Sequence, residues 1–379
     1  MKKCPVSRYC GGCQYQGLPY TEQLKKKQEE SEKLLSSFCH VEKIIGMDDP
    51  DHYRNKVQMN FAYDEHRNII SGYYVASTHT IVPVEECGLC DEKISRIMSS
   101  VKKIIIRKRI PIYDERSARG CLRCVMIRST NTGEYMMVLV SKTADFAHRE
   151  EVVRDIIHFN PEVKTVVQNI NSSRSSAVLG KRNIVLYGKG YITDELCGLK
   201  FRISPSSFYQ VNRRQTEILY REAIKAAGLN DSKILLDAYC GTGTIGLCAA
   251  ESAKKIIGVE SNASAVKDAK INMKINDIEN AEFVCEDAGK YMEFLARNKT
   301  HIDVVIMDPP RKGADQRFMT SMVKMRPDRI VYVSCNQLTL KENLKYLNRY
   351  YDVASIQPVD MFPYTSHVET IVRLDRTKR

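Results

Sequence analysis

From about residue 205 to the end of the chain, strand-like and helical segments alternate, and nothing else in the sequence constrains the fold as tightly. Apolar runs of strand length fall at 233–239, 255–260, 281–286, 302–307, 329–334 and 352–358, with a last one at 368–374. Helical patterns fit 213–227, 244–253, 263–275, 288–297, 315–324 and 339–347. Alternation of this kind builds βαβ units and a mostly parallel sheet. Such sheets take their ligands beyond the carboxyl ends of the strands. Three strand ends here are polar or glycine-rich: Asp237-Ala-Tyr-Cys-Gly-Thr-Gly243, Asp308-Pro-Pro-Arg-Lys-Gly313 and Ile330-Val-Tyr-Val-Ser-Cys-Asn336.

The earlier part of the chain reads differently. Residues 20–38 fit a polar helix with Thr21 as N-cap and Leu24, Leu34 and Leu35 as its apolar positions. From about 52 to 200, short β-rich runs such as Lys56–Tyr63, Tyr135–Val140 and Asn183–Tyr187 are broken by turn residues and by one helical stretch near 147–158. An antiparallel α+β domain is expected there. A chain of 379 residues accommodates two domains.

No stretch approaches the roughly 18 continuous apolar residues that span a bilayer. The start, Met1-Lys-Lys-Cys-Pro5, lacks the apolar segment of a signal peptide, so a cytoplasmic location and no membrane partner are expected. The net charge of +12 points to a polyanionic partner, above all nucleic acid. Lys102–Arg109 and Lys25–Lys27 are the densest basic runs and would contact phosphate without reading sequence. Thirteen cysteines in a chain without a secretory signal point to metal binding or catalysis rather than disulfides.

In the first strand-end loop, glycines such as Gly241 permit a tight turn and close approach to a ligand. Asp237 ends the strand before that loop, a pattern that fits S-adenosylmethionine better than NAD. Glu260 ends the second strand, where a carboxylate can accept hydrogen bonds from both ribose hydroxyls. Asp287 ends the third, near where an adenine would lie, and Asp308 ends the fourth, its direction stiffened by Pro309 and Pro310. An Asp-Pro-Pro motif also marks enzymes that methylate planar nitrogens, but those carry an aromatic residue where Arg311 stands.

Cys335 follows a buried-looking strand, flanked by Ser334 and Asn336, both able to hydrogen-bond a substrate. A thiolate is a good nucleophile once its pKa is lowered. Carbon 5 of uracil accepts a methyl group only after a nucleophile has added at carbon 6, and a base must then remove the carbon-5 proton. Glu369 on the last strand is the candidate base.

Together these segments resemble the S-adenosylmethionine-dependent RNA uridine-5-methyltransferases that make 5-methyluridine in 23S rRNA and tRNA. The resemblance covers essentially the whole chain. It rests on Cys4-x5-Cys10-x2-Cys13, Tyr53-Arg-Asn-Lys56, Ser204–Asn212, Asp237–Gly243, Asp308–Arg311, Ser334–Asn336 and Asp360–Thr370. It implies a Rossmann-like class I methyltransferase domain, a mostly parallel seven-stranded sheet, over 205–379. A central α+β RNA-binding domain over 52–204 would precede it, with a cysteine-bearing segment, 1–90, wrapped into that domain. Cys335 would be the nucleophile and Glu369 the base. Gln210, Tyr239, Gly241, Glu260 and Asp308 would line the S-adenosylmethionine site, with Asp287 near the adenine. The target uridine would flip out of its stack. Many members begin with an oligonucleotide-binding barrel, whereas this chain begins at the cysteines like the shorter ribosomal members. The expected substrate is therefore 23S rRNA, with tRNA as the alternative, and the expected state a monomer.

Two metal readings compete for the cysteines. Cys10-x2-Cys13 with Cys87-x2-Cys90 could hold tetrahedral zinc. Cys4, Cys10, Cys13 and Cys87 could hold a [4Fe-4S] cluster through four thiolates. The resemblance supports the second, although Gly88 stands where the family often has Pro. Cys121-x2-Cys124 and Cys39, Cys197, Cys240, Cys248 and Cys285 read as packing. Two rival functions stay open: a base N-methyltransferase using Asp308-Pro-Pro310 without Cys335, and an RNA-binding protein with no activity.

Overall fold

The computed structural model describes residues 4–75, 78, 80–173 and 177–377, so Met1–Lys3 of the N-terminal reading lie outside it. The chain forms two compact units. The first holds Met1–Gly17, Asp51–Glu195 and Arg202–Ser206; the second holds Leu18–Pro50, Leu196–Phe201 and Ser207–Arg379. Two helices come first: α1, Ser7–Cys10, in the first unit, and α2, Tyr20–Leu35, in the second. No helix among the described residues is long and apolar enough to cross a membrane.

The first unit is built on strands β1 (Lys56–Tyr63), β2 (Ile69–Tyr74) and β3 (Ile81–Pro83), helix α3 (Glu92–Arg107), β4 (Leu122–Ser129), β5 (Tyr135–Ser141), α4 (Arg149–Phe159), β6 (Val163–Ile170) and β7 (Arg182–Tyr187). Its sheet runs β3-β2-β1-β4-β5-β6-β7. Every pairing is antiparallel except β5 with β6, which α4 joins as a crossover. Helix α3 was not expected. Asp91 caps it by accepting from the Lys93 and Ile94 amides at 2.9 and 3.3 Å. Ile94, Ile97, Met98, Val101, Ile104 and Ile105 recur at helical spacing and are buried against the sheet. The basic run 102–109 is therefore largely the end of an amphipathic helix. Part of its charge is met internally, because Arg107 pairs with Asp155 at 2.6 Å and Lys108 with Glu151.

Strands β8 (Ile192–Leu196) and β9 (Leu199–Ile203) carry the chain between units. The second unit continues with α5 (Arg213–Ala227), β10 (Ile234–Ala238), α6 (Thr244–Cys248), β11 (Lys255–Glu260), α7 (Ala263–Ile275), β12 (Ala281–Cys285) and α8 (Ala288–Arg297). Then come β13 (Val304–Met307), α9 (Gln316–Met325), β14 (Arg329–Ser334), α10 (Gln337–Leu347), β15 (Tyr351–Val359) and β16 (Glu369–Arg376). The seven-stranded order is β12-β11-β10-β13-β14-β16-β15. Strands β10 to β14 pair in parallel, and β16 runs antiparallel between β14 and β15. The expected alternation and mostly parallel sheet are present, with strand limits within about two residues of those read from the apolar runs.

Helix α2 departs from expectation. Pro19 precedes it without a side-chain cap, and Thr21 caps nothing. Its buried stripe is Gln23, Lys27, Ser31 and Leu35 rather than a row of leucines. These polar residues are satisfied by partners from distant sequence: Lys27 Nζ meets Asp360 Oδ1 at 2.6 Å with both side chains fully buried. Lys27 is thus withdrawn from any phosphate contact, while Lys25 and Lys26 stay exposed.

Candidate active site

The strand order of the second unit reverses between β10 and β13, and the residues beyond these strands surround the switch point. After β10 the chain turns through Tyr239, Gly241 and Gly243, all with positive φ (63°, 55° and 79°). At Gly243 a side chain is excluded twice over, since a Cβ would also lie 2.7 Å from the Phe283 ring. Asp237 is buried under this turn and accepts from the Gly246 amide at 2.9 Å, tying α6 to its strand. Glu260 accepts from the Gly241 and Asn262 amides at 3.2 and 2.7 Å, so one carboxylate braces both the turn and the start of α7. Asp287 is an exposed N-cap of α8, accepting from Lys290 N at 3.0 Å. Gln210 is buried, and the Tyr239 ring packs against Phe318 at a tilt of 46°, with centroids 5.3 Å apart. The six residues expected around a nucleoside cofactor thus all belong to this unit, and three of the acids lie at strand ends along one edge.

At the far side of the switch point, the β14–β16 ladder sets Ser334 opposite Thr370. Cys335 is the next residue beyond β14, and Glu369 is the residue before Thr370, so the register brings them side by side. Cys335 is half-buried and Glu369 only 4% exposed. Burial, and then the charges of Glu369 and Asp308, push the Cys335 thiol up to about 11, while Arg311 opposes them. Burial and the Asp308 charge push Glu369 up to about 8, again against Arg311. Asp308 is itself pushed up to about 7 by burial. Three acidic groups and one guanidinium therefore share one poorly solvated spot. The sequence marks Arg311 as part of the Asp308–Arg311 segment and as a departure from the nitrogen-methylating motif, and assigns it no role. A basic residue directly after Pro-Pro was the available signal.

Ser334 and Asn336 are hydrogen-bonded within their own loop. Ser334 Oγ donates to the Asn336 carbonyl at 3.2 Å and accepts from the Asn336 amide at 3.3 Å. Asn336 caps α10 through Leu338 N at 3.0 Å and donates to the Arg311 carbonyl at 3.1 Å. These hydrogen bonds hold the turn that bears Cys335 together.

Buried acids with raised pKa values make stability depend on pH. Asp237 and Asp308, near 7, and Glu369, near 8, keep protons that the unfolded chain releases near pH 4. Between those limits the native state binds more protons, so stability falls as pH rises, by up to about 1.4 kcal/mol per pH unit for each group. Denaturation midpoints of the substrate-free protein are expected to drop from pH 5.5 to 7.5, with a shallower drop in Glu369→Gln. Equal slopes in the two proteins would contradict the burial of a proton at Glu369.

In the first unit, Cys4, Cys10, Cys13 and Cys87 lie close enough to act on one another electrostatically. Burial raises the Cys10 thiol, followed by the nearby Cys87 and Cys4. Burial raises Cys13 to about 12, with Cys87, Cys10 and Cys4 adding to it. Cys4 and Cys87 also line one cavity. Cys87 is lowered to about 6, chiefly by a hydrogen bond from the Cys90 thiol. Cys90 is buried and lies 3.6 Å from the Tyr73 hydroxyl, and does not figure among the charges acting on Cys10 or Cys13. Among the described residues no three His, Cys, Asp or Glu side chains converge on a single metal-ion position. Of the cysteines read as packing, Cys121, Cys124 and Cys240 are buried. Cys285 is exposed, because β12 is an edge strand whose end opens to solvent.

Comparison with known proteins accords with this geometry. The tRNA (Uracil-5-)-methyltransferase family matches residues 19–377. An uncharacterized RNA methyltransferase of Oceanobacillus iheyensis is 40% identical over 374 residues, covering 97% of this chain and 81% of the relative. One from Clostridium tetani is 40% identical over 375 residues, with the same coverage of 97% and 81%. Among solved structures, the tRNA (uracil-54, C5)-methyltransferase of Pyrococcus abyssi, in complex with S-adenosyl-L-homocysteine, superposes with a TM-score of 0.79 at 27% identity. That match covers 96% of this chain and 85% of the other. The chain belongs to the tRNA (uracil-5-)-methyltransferase family and is an RNA methyltransferase.

Proposed function

We propose that the enzyme transfers a methyl group from S-adenosylmethionine to carbon 5 of a uridine in 23S rRNA, through a covalent bond between Cys335 and carbon 6. The observation that carries this reading is the β14–β16 register, with a half-buried thiol beside a buried carboxylate at the switch point of the sheet. S-adenosylmethionine, when bound, supplies an electrophilic methyl group. Gln210, Tyr239, Gly241, Glu260 and Asp308 would hold it, with Asp287 by the adenine. The buried carboxylates suit a cationic sulfonium, because a positive ligand relieves their mutual repulsion.

The residues then divide the work. Cys335 and Glu369 must first give up their protons, a loss that Arg311 and the positive charge of the bound cofactor favour against burial. Cys335, as thiolate, then adds to carbon 6, and the displaced electron pair makes carbon 5 nucleophilic. Once carbon 5 carries the methyl group, Glu369 takes the carbon-5 proton. The pair from that bond restores the carbon 5–carbon 6 double bond, and the carbon–sulfur bond breaks with its electrons returning to Cys335. Arg311 counters the negative charge that accumulates on these two residues.

The test is tritium release from carbon-5-tritiated uridine RNA. Release from 23S rRNA fragments and not from tRNA is the expected result. Release from tRNA alone would move the substrate to the second reading, which the similarity to the P. abyssi tRNA enzyme supports. Methyl transfer without release from either RNA would overturn carbon-5 chemistry in favour of a base nitrogen. Glu369→Gln is expected to stall after methylation and leave a protein–RNA adduct on a denaturing gel.

For the first unit we propose a [4Fe-4S] cluster held by Cys4, Cys10, Cys13 and Cys87. Four thiols that repel one another as thiolates fit a polynuclear cationic core better than a protein without one. Iron and sulfide content of anaerobically purified protein checks it: Cys87→Ala is expected to lose both and Cys90→Ala to keep them. The reaction needs no electron transfer, so the cluster would act in structure or RNA binding, and the enzyme in the cytoplasm as a monomer.

A further inference from the structure

Gln337 opens α10 two residues after Cys335 and is 8% exposed. Its Nε2 donates to Ser31 Oγ on α2 at 2.7 Å and to Thr370 Oγ1 on β16 at 3.0 Å. Ser31 sends its own hydroxyl proton to the Lys27 carbonyl at 2.7 Å, so its oxygen is left to accept. Thr370 stands opposite Ser334 in the ladder and directly follows Glu369. One buried amide therefore joins the helix that begins behind Cys335 to the strand that begins with Glu369. The register runs to Ser334 and Thr370, and Cys335 lies one residue past it, in the turn between β14 and α10. A side-chain link at this point extends the order of the ladder into the turn that bears the thiol.

We propose that Gln337 is a positioning residue that sets the separation of Cys335 and Glu369 for the proton-removal step. The inference rests on the roles proposed above for those two residues. In that step the carbon-5 proton passes to the Glu369 carboxylate, its bonding pair re-forms the carbon 5–carbon 6 double bond, and Cys335 leaves with the carbon–sulfur pair. Base and leaving group act on adjacent carbons of one ring, so their spacing is set by the substrate. A misplacement near 1 Å costs about 10²-fold. Formation of the adduct needs Cys335 alone and tolerates the same shift better.

Gln337→Met keeps the length and bulk of the side chain and deletes both donors. The expected result is a fall in kcat of about 10- to 100-fold with KM for both substrates unchanged, and accumulation of covalent protein–RNA adduct on a denaturing gel. Thr370→Val removes the acceptor from the other side and should behave alike. The double variant should be no slower than either single one, since all three break the same link. Wild-type kcat in Gln337→Met, a fall in kcat without adduct, or losses that multiply in the double variant would overturn the proposal. If Gln337→Met does not fold, Thr370→Val decides it. Glu369→Gln separates the two levels. If it traps no adduct, the base assignment fails and this inference with it. If it traps adduct while Gln337→Met resolves adduct at the wild-type rate, only the positioning role fails.

Discussion

Cys335→Ala is expected to abolish methyl transfer while S-adenosylmethionine still binds. The loss should be on the order of 10⁴-fold or more, as when the nucleophile is removed from other covalent enzymes. Cys335 sits beyond β14 with its thiol half-buried, and the side-chain hydrogen bonds that hold the surrounding loop are those of Ser334 and Asn336. Removing the sulfur should therefore leave the cofactor turn at Tyr239–Gly243 intact. A filter-binding or calorimetric titration with S-adenosylmethionine, beside a methyl-transfer assay, makes the distinction. Cys335→Ser adds a second test, because a hydroxyl keeps the shape but remains protonated and weakly nucleophilic. Full activity in Cys335→Ala would end the covalent mechanism and favour attack by a nitrogen of the base.

The largest expected effect on stability lies away from the chemistry. Asp360→Ala should destabilise the protein by about 3–5 kcal/mol, the cost of stranding a buried charge. Asp360 Oδ1 accepts from Lys27 Nζ at 2.6 Å and from the Phe362 amide at 3.2 Å, and Oδ2 accepts from the Tyr20 hydroxyl at 2.8 Å. The Tyr20 oxygen in turn accepts from the Met47 amide at 2.9 Å. Burial already works against the charge of Lys27, and Asp360 is what opposes that effect. Without the carboxylate, a fully buried ammonium keeps only the Phe362 carbonyl, at 3.1 Å, from this cluster. Urea unfolding of wild type and variant measures the difference. Replacing both partners together, Lys27→Met with Asp360→Leu, should recover much of the loss, because the pair stabilises less than its disruption costs. A loss in Asp360→Ala below about 1 kcal/mol would mean that the pair is solvated, as surface ion pairs are.

Much of the second unit was legible in the sequence for a local reason. Strands β10, β11, β13 and β14 are continuous apolar runs because helices cover both faces of a parallel sheet. The turns after them are marked by residues that tolerate few alternatives, such as Gly243 against Phe283. Helix α3 shows how a local signal is lost. Its isoleucines keep helical spacing, but Lys102, Lys103 and Arg107 lie among them, and the run reads as a basic patch. Helix α2 is legible as a helix, but its buried face is not, because that face is Gln23, Lys27 and Ser31 beside Leu35. Polar residues enter a core only when distant partners satisfy them, and no periodicity announces those partners.

The sequence by itself determined the alternation of strand and helix, the polar strand ends, the family, and the identity of Cys335, Glu369 and the clustered cysteines as candidates. These follow from patterns a few residues long, set by side-chain volume, backbone freedom and chemistry. Only the tertiary structure decided which candidates meet. Cys335 and Glu369 become neighbours through the antiparallel register of β14 with β16, and a slip of one residue would turn their side chains to opposite faces. Ser334 and Asn336 are tied by hydrogen bonds into the loop that carries Cys335 and to the Arg311 carbonyl. Gln337, Ser31 and Thr370 joined through contacts between distant parts of the chain. Such meetings depend on how whole elements pack, and that is fixed by the burial of many residues at once rather than by any one of them.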